Sequence, residues 1–181
     1  MKRIDTAIPG VQIITPYVYD DARGMFYEIF RKYQFPEFVQ DNIVHSKQRV
    51  LRGLHYQPEH PQGKLMMAVV GSLYEVAVDV REGSPTFGQW VGHTLDTITK
   101  DIMYIAPGFL TGTLSLSENS ILLYKTTDYY DPDCTVSVMW NDPDLAIKWP
   151  MDYPVLKYED AEAKSFKEVF GANKSQWRYF R

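Results

Sequence analysis

Cysteine is nearly absent: Cys134 is the only one in 181 residues. A lone thiol allows no internal disulfide and no thiolate metal cluster. Long hydrophobic runs are missing too. The opening residues, Met1-Lys2-Arg3-Ile4-Asp5, meet an acidic side chain before any apolar signal core, and no stretch approaches the length of a membrane span. A soluble, cytoplasmic protein with no membrane partner is therefore expected. Positive charge is in deficit, with 19 Lys and Arg against 23 Asp and Glu, a net charge of -4 and a pI near 5.5. That balance argues against a nucleic-acid surface. A few local cations still suffice to hold a phosphorylated small molecule.

Several chemistries lose support because their motifs are absent. There is no Gly-x-Gly-x-x-Gly, no Walker loop and no Gly-x-Ser-x-Gly elbow, which removes the sequence support for hydride transfer, phosphoryl transfer and triad hydrolysis. The four histidines, His45, His55, His60 and His93, form no His-x-His pair and no HExxH. No bound metal and no cofactor is expected, although dispersed histidines leave room for a scattered two-His-one-carboxylate site. No internal repeat, low-complexity tract or flexible linker interrupts the chain.

What is present is a globular balance of 45% hydrophobic and 23% charged residues, enough for a core in one domain spanning 1–181. Thirteen Tyr and nine Phe suit strands more than a helical bundle. The dominant pattern has period two. Within 73–80, Tyr74, Val76, Val78 and Val80 share one face, with Glu75 and Asp79 on the other. Residues 64–70 and 121–127 also read as strands. Turn clusters separate them, among them Gly83-Ser84-Pro85, Ala106-Pro107-Gly108 and Asn141-Asp142-Pro143. Many short strands with frequent turns predict a mainly β sandwich or barrel. Helical signal is confined to a weak stretch from Glu28 to Phe38, limited by Pro36, and to the segment after Asp160. There Ala163, Phe166 and Val169 recur at helical spacing, Asp160 is a candidate cap, and 161–181 reads as a partly helical extension.

One stretch gathers chemistry: Val50-Leu51-Arg52-Gly53-Leu54-His55-Tyr56-Gln57, followed by Pro61-Gln62-Gly63-Lys64. Strict alternation sends Arg52 and His55 to opposite faces, unless Gly53 permits a bulge that realigns them. On composition alone His55 is an ordinary, partly buried histidine and Lys64 a solvated strand-end lysine.

That stretch, taken with Asp20-Asp21-Ala22-Arg23-Gly24-Met25-Phe26-Tyr27-Glu28, resembles the dTDP-4-dehydrorhamnose 3,5-epimerase family. Phe38-Val39-Gln40-Asp41-Asn42, Gly83-Ser84-Pro85-Thr86-Phe87-Gly88-Gln89-Trp90, Tyr124-Lys125-Thr126-Thr127-Asp128-Tyr129-Tyr130 and Trp140-Asn141-Asp142-Pro143-Asp144 follow in the same order, so the resemblance covers about 1–160. It implies a cupin-type jelly roll that forms a homodimer, takes a nucleotide-diphospho-sugar and acts as an isomerase. By position it implies His55 as general base, Tyr124 as general acid and Asp160 as the carboxylate bonded to the base. Lys64, Arg52, Arg23, Glu28, Gln40 and Asn42 fall on substrate-contacting positions, and Tyr130 on one that stacks against the nucleotide base.

The implied reaction suits these side chains. A 4-ketone acidifies the C–H bonds at C3 and C5, and inversion needs proton removal on one face and return on the other. An imidazole, with an ordinary pKa of about 6.5, is largely neutral at pH 7 and can accept the proton. A phenol remains protonated and can give one back. A lysine such as Lys64 can stabilise the enolate oxygen in a site shielded from water. The chain departs from the family where Thr111 stands in place of a usual histidine, where Ile43-Val44-His45-Ser46 replaces a serine-rich tract, and at Glu159. Thr111 is expected to border the substrate, which opens the alternatives of inversion at one centre only or of a ketoisomerase acting on a related nucleotide-linked 4-keto sugar; a catalytically inactive nucleotide-sugar-binding cupin is a further alternative.

Overall fold

A computed structural model describes residues 1–171. Thirteen strands account for most of its regular structure: β1 (Lys2–Asp5), β2 (Val11–Thr15), β3 (Val18–Asp21), β4 (Gly24–Tyr27), β5 (Gln40–Lys47), β6 (Leu51–Tyr56) and β7 (Lys64–Val70) come first. They are followed by β8 (Ser72–Asp79), β9 (Trp90–Asp96), β10 (Ile102–Ile105), β11 (Phe109–Ser115), β12 (Asn119–Thr126) and β13 (Val136–Ser137). The ladders are antiparallel. One sheet has six strands in the order β1-β2-β10-β7-β12-β5, and a second has five in the order β13-β6-β11-β8-β9. The non-sequential neighbours are those of a jelly roll, as the family resemblance implies.

The two sheets face each other across a core that alternation builds. Ile13, Met66, Ala68, Met103, Ile105 and Leu122 from the first sheet meet Leu73, Ala77, Leu95 and Phe109 from the second. Both outer faces are also covered. Val76, Val78 and Val80 pack under Val138, Leu145, Phe166 and Phe170, while Leu65 and Met67 pack under Ile29, Phe30, Phe35 and Phe38. Thus β8 is buried on both sides. Its acidic face is not a solvent face: Glu75 and Asp79 are each fully buried between the sheets. Asp79 accepts from the Arg81 guanidinium, Ser84 and Thr86, pinning the turn that follows. Burial works against its charge, but those donors together hold its carboxyl down at about 2.

Two helical expectations change. The segment from Glu28 to Phe38 contains only a 3₁₀ turn, Lys32–Gln34, because its Phe side chains spread over the sheet instead of forming one helical stripe. After it, α1 (Tyr158–Ala161) and α2 (Phe166–Phe170) are the short C-terminal helices. Asp160 caps neither. Ser165 caps α2, accepting from the Glu168 N–H in a reciprocal capping box, and Asp160 lies inside α1 with its carboxylate turned elsewhere. The aromatic residues Trp177, Tyr179 and Phe180 lie outside the described residues.

Candidate active site

A cavity of about 470 Å³ opens at one end of the space between the sheets. Met66, Leu73 and Leu122, which also belong to the core, give it an apolar floor. Arg52 and His55 on β6, Lys64 on β7, Thr111 and Thr113 on β11, Tyr124 on β12 and the segment Val155–Asp160 supply its polar wall. A second cavity of about 130 Å³ shares His55, Lys64, Tyr124 and Lys157 with the first and adds Gln57, Gln62 and Tyr130.

Arg52 and His55 reach the same cavity through a bulge. His55 pairs with Thr111 while Arg52 pairs with Thr113, so β6 carries one extra residue against β11. Gly53 sits in the extra position with φ of 114°. A Cβ there would lie 2.5 Å from the Thr111 carbonyl oxygen and 2.9 Å from the Gly112 Cα, so this bend requires glycine.

The imidazole of His55 is tied to a buried carboxylate. Its Nε2 lies 2.7 Å from Asp160 Oδ1, and Asp160 Oδ2 accepts the Gly53 N–H at 3.2 Å. Lys157 Nζ stands 3.7 Å from the same Oδ1. Burial opposes the charge on Asp160, but His55, the Gly53 N–H and Lys157 together hold its carboxyl below the usual range. An ionised carboxylate only accepts, so Nε2 carries the proton and Nδ1 is left as the basic nitrogen. Tyr124 comes from the opposite sheet. Burial, reinforced by the charge of Glu75 and opposed by that of Arg52, pushes its phenol above the ordinary range, which keeps it protonated. Lys64 spans the sheets, donating from Nζ to Thr111 Oγ1 at 2.5 Å.

The remaining predicted residues divide. Gln40 and Asn42 lie on β5 beside Tyr124 and Tyr130. Gln40 donates to Asn42 Oδ1 at 2.8 Å and accepts the Tyr130 N–H at 3.2 Å, and the buried Nδ2 of Asn42 has no partner. Neither lines the two cavities. Arg23 and Glu28 do not reach them either, and here the single chain departs from the expectation. Arg23 is at the tip of the β3–β4 hairpin paired with Asp21, and Glu28 is paired with Arg31. That hairpin leaves Tyr19 and Phe26 each 67% exposed, so none of the described residues covers it. Sequence reasoning missed Lys157 and Glu75. The spacing of Lys157 from Asp160 on a helical turn is a usable signal, whereas Glu75 reads as a surface residue until both faces of β8 are known to be buried. Among the described residues no group of His, Cys, Asp and Glu is placed to hold a metal ion.

The sequence profile of the dTDP-4-dehydrorhamnose 3,5-epimerases matches residues 5–168. The dTDP-4-dehydrorhamnose 3,5-epimerase of Pseudomonas aeruginosa is 46% identical over 177 residues, covering 93% of this chain and 98% of its own. A crystal structure of a dTDP-6-deoxy-D-glucose-3,5-epimerase from Legionella pneumophila in complex with dTDP-4-keto-L-rhamnose superposes with a TM-score of 0.88 at 44% identity, covering 91% of this chain and 92% of that one. A 3'-monoepimerase from Streptomyces bikiniensis, in complex with dTDP-quinovose, superposes with a TM-score of 0.84 at 34% identity, covering 92% and 89%. Sequence, fold and cavity therefore agree that this chain belongs to the dTDP-4-dehydrorhamnose 3,5-epimerase family of isomerases.

Proposed function

We propose that this protein inverts C3 and C5 of dTDP-4-dehydro-6-deoxyglucose, giving dTDP-4-dehydrorhamnose, with its own side chains and no cofactor. The observation that carries this reading is the placement of His55 and Tyr124 on opposite sheets around one cavity. His55 Nδ1 takes a proton from the carbon beside the ketone, and the Asp160 carboxylate stabilises the imidazolium that forms. Negative charge moves to the ketone oxygen, where the Lys64 ammonium stabilises the enolate. Tyr124 then delivers its proton to the opposite face, inverting the centre. Solvent resets the imidazolium and the phenolate, and the same cycle serves the second centre on the other side of the ketone.

The nucleotide lies toward the smaller cavity, with its base stacked on Tyr130 and its diphosphate held by Arg52 through charge-assisted hydrogen bonds. Gln40 and Asn42 serve this site from β5 by holding its wall, Gln40 accepting the Tyr130 N–H and donating to Asn42. Arg23 and Glu28 fit the same picture in a homodimer. The exposed apolar hairpin that carries Arg23 covers itself against a second copy and brings both residues to that copy's cavity mouth. Thr111 accepts from Lys64, so it takes part in placing the enolate-stabilising charge in the position where the family usually has histidine.

Incubation with dTDP-4-dehydro-6-deoxyglucose in heavy water tests the reaction. Deuterium is expected at both C3 and C5 of the product, read by proton NMR and mass. Label at one carbon alone identifies a one-centre epimerase instead, and tight binding without any label identifies a protein that binds without turnover.

A further inference from the structure

We propose that Glu75 is a positioning residue that keeps the Lys64 ammonium charged behind the cavity wall while enolate charge develops. The proposal rests on the epimerase reading of the site. Glu75 lies between the sheets with no exposed surface, one strand away from Thr111 and Thr113. Its Oε2 accepts from Thr113 Oγ1 at 2.5 Å, while its Oε1 has no hydrogen-bond partner. A half-satisfied carboxyl in a sealed core is costly, and an apolar side chain of that size would pack there without the penalty. What faces it gives the expense a purpose. Lys64 from β7 and Tyr124 from β12 are within its electrostatic reach. From β9, His93 stands opposite in register, but its Nε2 is held by Asp101 at 3.0 Å.

Thr111 and Thr113, two residues apart, share one face of β11, the first accepting from Lys64 and the second donating to Glu75, so the two ionisable groups are held on neighbouring hydroxyls. Burial pushes Glu75 up to about 8 and pushes Lys64 below the usual lysine range, and each charge opposes the other's shift. As Glu75 gives up its proton near pH 8, the carboxylate that forms opposes the loss of the Lys64 proton that burial favours, so the coupling acts on the alkaline side. The same negative charge raises the Tyr124 phenol, so both groups that must be protonated for turnover lean on Glu75.

The test is kcat against pH for the wild type, Glu75→Gln and Glu75→Asp, with deuterium incorporation as the assay. In Glu75→Gln only burial acts on Lys64, so the alkaline limb should move toward acid by at least about one pH unit, with kcat at pH 8 falling about tenfold. KM should stay within about threefold, because substrate binding is not what changes. Glu75→Asp keeps the charge and should keep the limb near its wild-type position. An alkaline limb that stays put in Glu75→Gln overturns the proposal. A second measurement needs neither turnover nor that variant: the side-chain carboxyl carbon of Glu75, followed by NMR in labelled protein, should titrate at higher pH in Lys64→Met than in the wild type. An unchanged midpoint overturns the proposal as well. A wild type without any deuterium exchange instead overturns the epimerase reading, and the NMR arm still decides whether Glu75 and Lys64 are coupled.

Discussion

His55→Ala abolishes deuterium exchange at both C3 and C5 while leaving dTDP affinity nearly intact. The reason is geometric. One imidazole, held by Asp160 through Nε2, is the base this cavity offers next to the lysine that receives the enolate charge. Without it no proton leaves, so neither washout nor inversion proceeds. General-base contributions of about 10²–10⁴-fold set the scale, and the loss should lie at the upper end because both centres share the base. The nucleotide is held by other groups, so its Kd should change less than about threefold, or roughly 0.6 kcal/mol. The checks are NMR-detected exchange for the chemistry and calorimetry with dTDP for the binding. Retained exchange at either carbon would show that a second base serves that centre.

Tyr124→Phe produces a different pattern. The base still removes the proton and the enolate still forms, but the opposite face has lost its donor. Inversion should fall by about 10²–10⁴-fold, whereas washout of label into recovered substrate should fall far less, since His55 can return a solvent-derived proton to the face it came from. Measuring both in one reaction, by mass for exchange and by NMR coupling constants for configuration, separates the two steps. A fully active Tyr124→Phe protein would remove the phenol from the mechanism. The substitution leaves the aromatic ring in its place between Met66 and Asn42, its neighbours on β7 and β12's other partner β5, so the change isolates the hydroxyl.

Much of this arrangement is legible in the chain because alternation reports burial directly. The strand at 73–80 follows from period two and that at 64–70 from its aliphatic and β-branched content, and the option of a bulge at Gly53 is the one that turns Arg52 and His55 to one cavity. The limits are equally physical. Alternation shows that Glu75 and Val76 face opposite ways but not that both sides are covered, so the burial of Glu75 follows only from the fold. Asp160 reads as a helix cap from its neighbours, whereas its partner His55 is 105 residues away and no local signal joins them. The weak helical pattern from Glu28 to Phe38 gives way because Phe30, Phe35 and Phe38 spread over the sheet at Leu65 and Met67 instead of forming one stripe. Arg23 and Glu28 are tied to Asp21 and Arg31 within one chain, and only the family resemblance connects them with a ligand.

The most direct test is a crystal structure with a dTDP-linked hexose that lacks the 4-ketone and so does not turn over. The account predicts the sugar ring between the sheets, with His55 Nδ1 on one face and the Tyr124 hydroxyl on the other, each within about 3–3.5 Å of C3 or C5. A ring that meets both groups on the same face, or that lies out of reach of either, would contradict it.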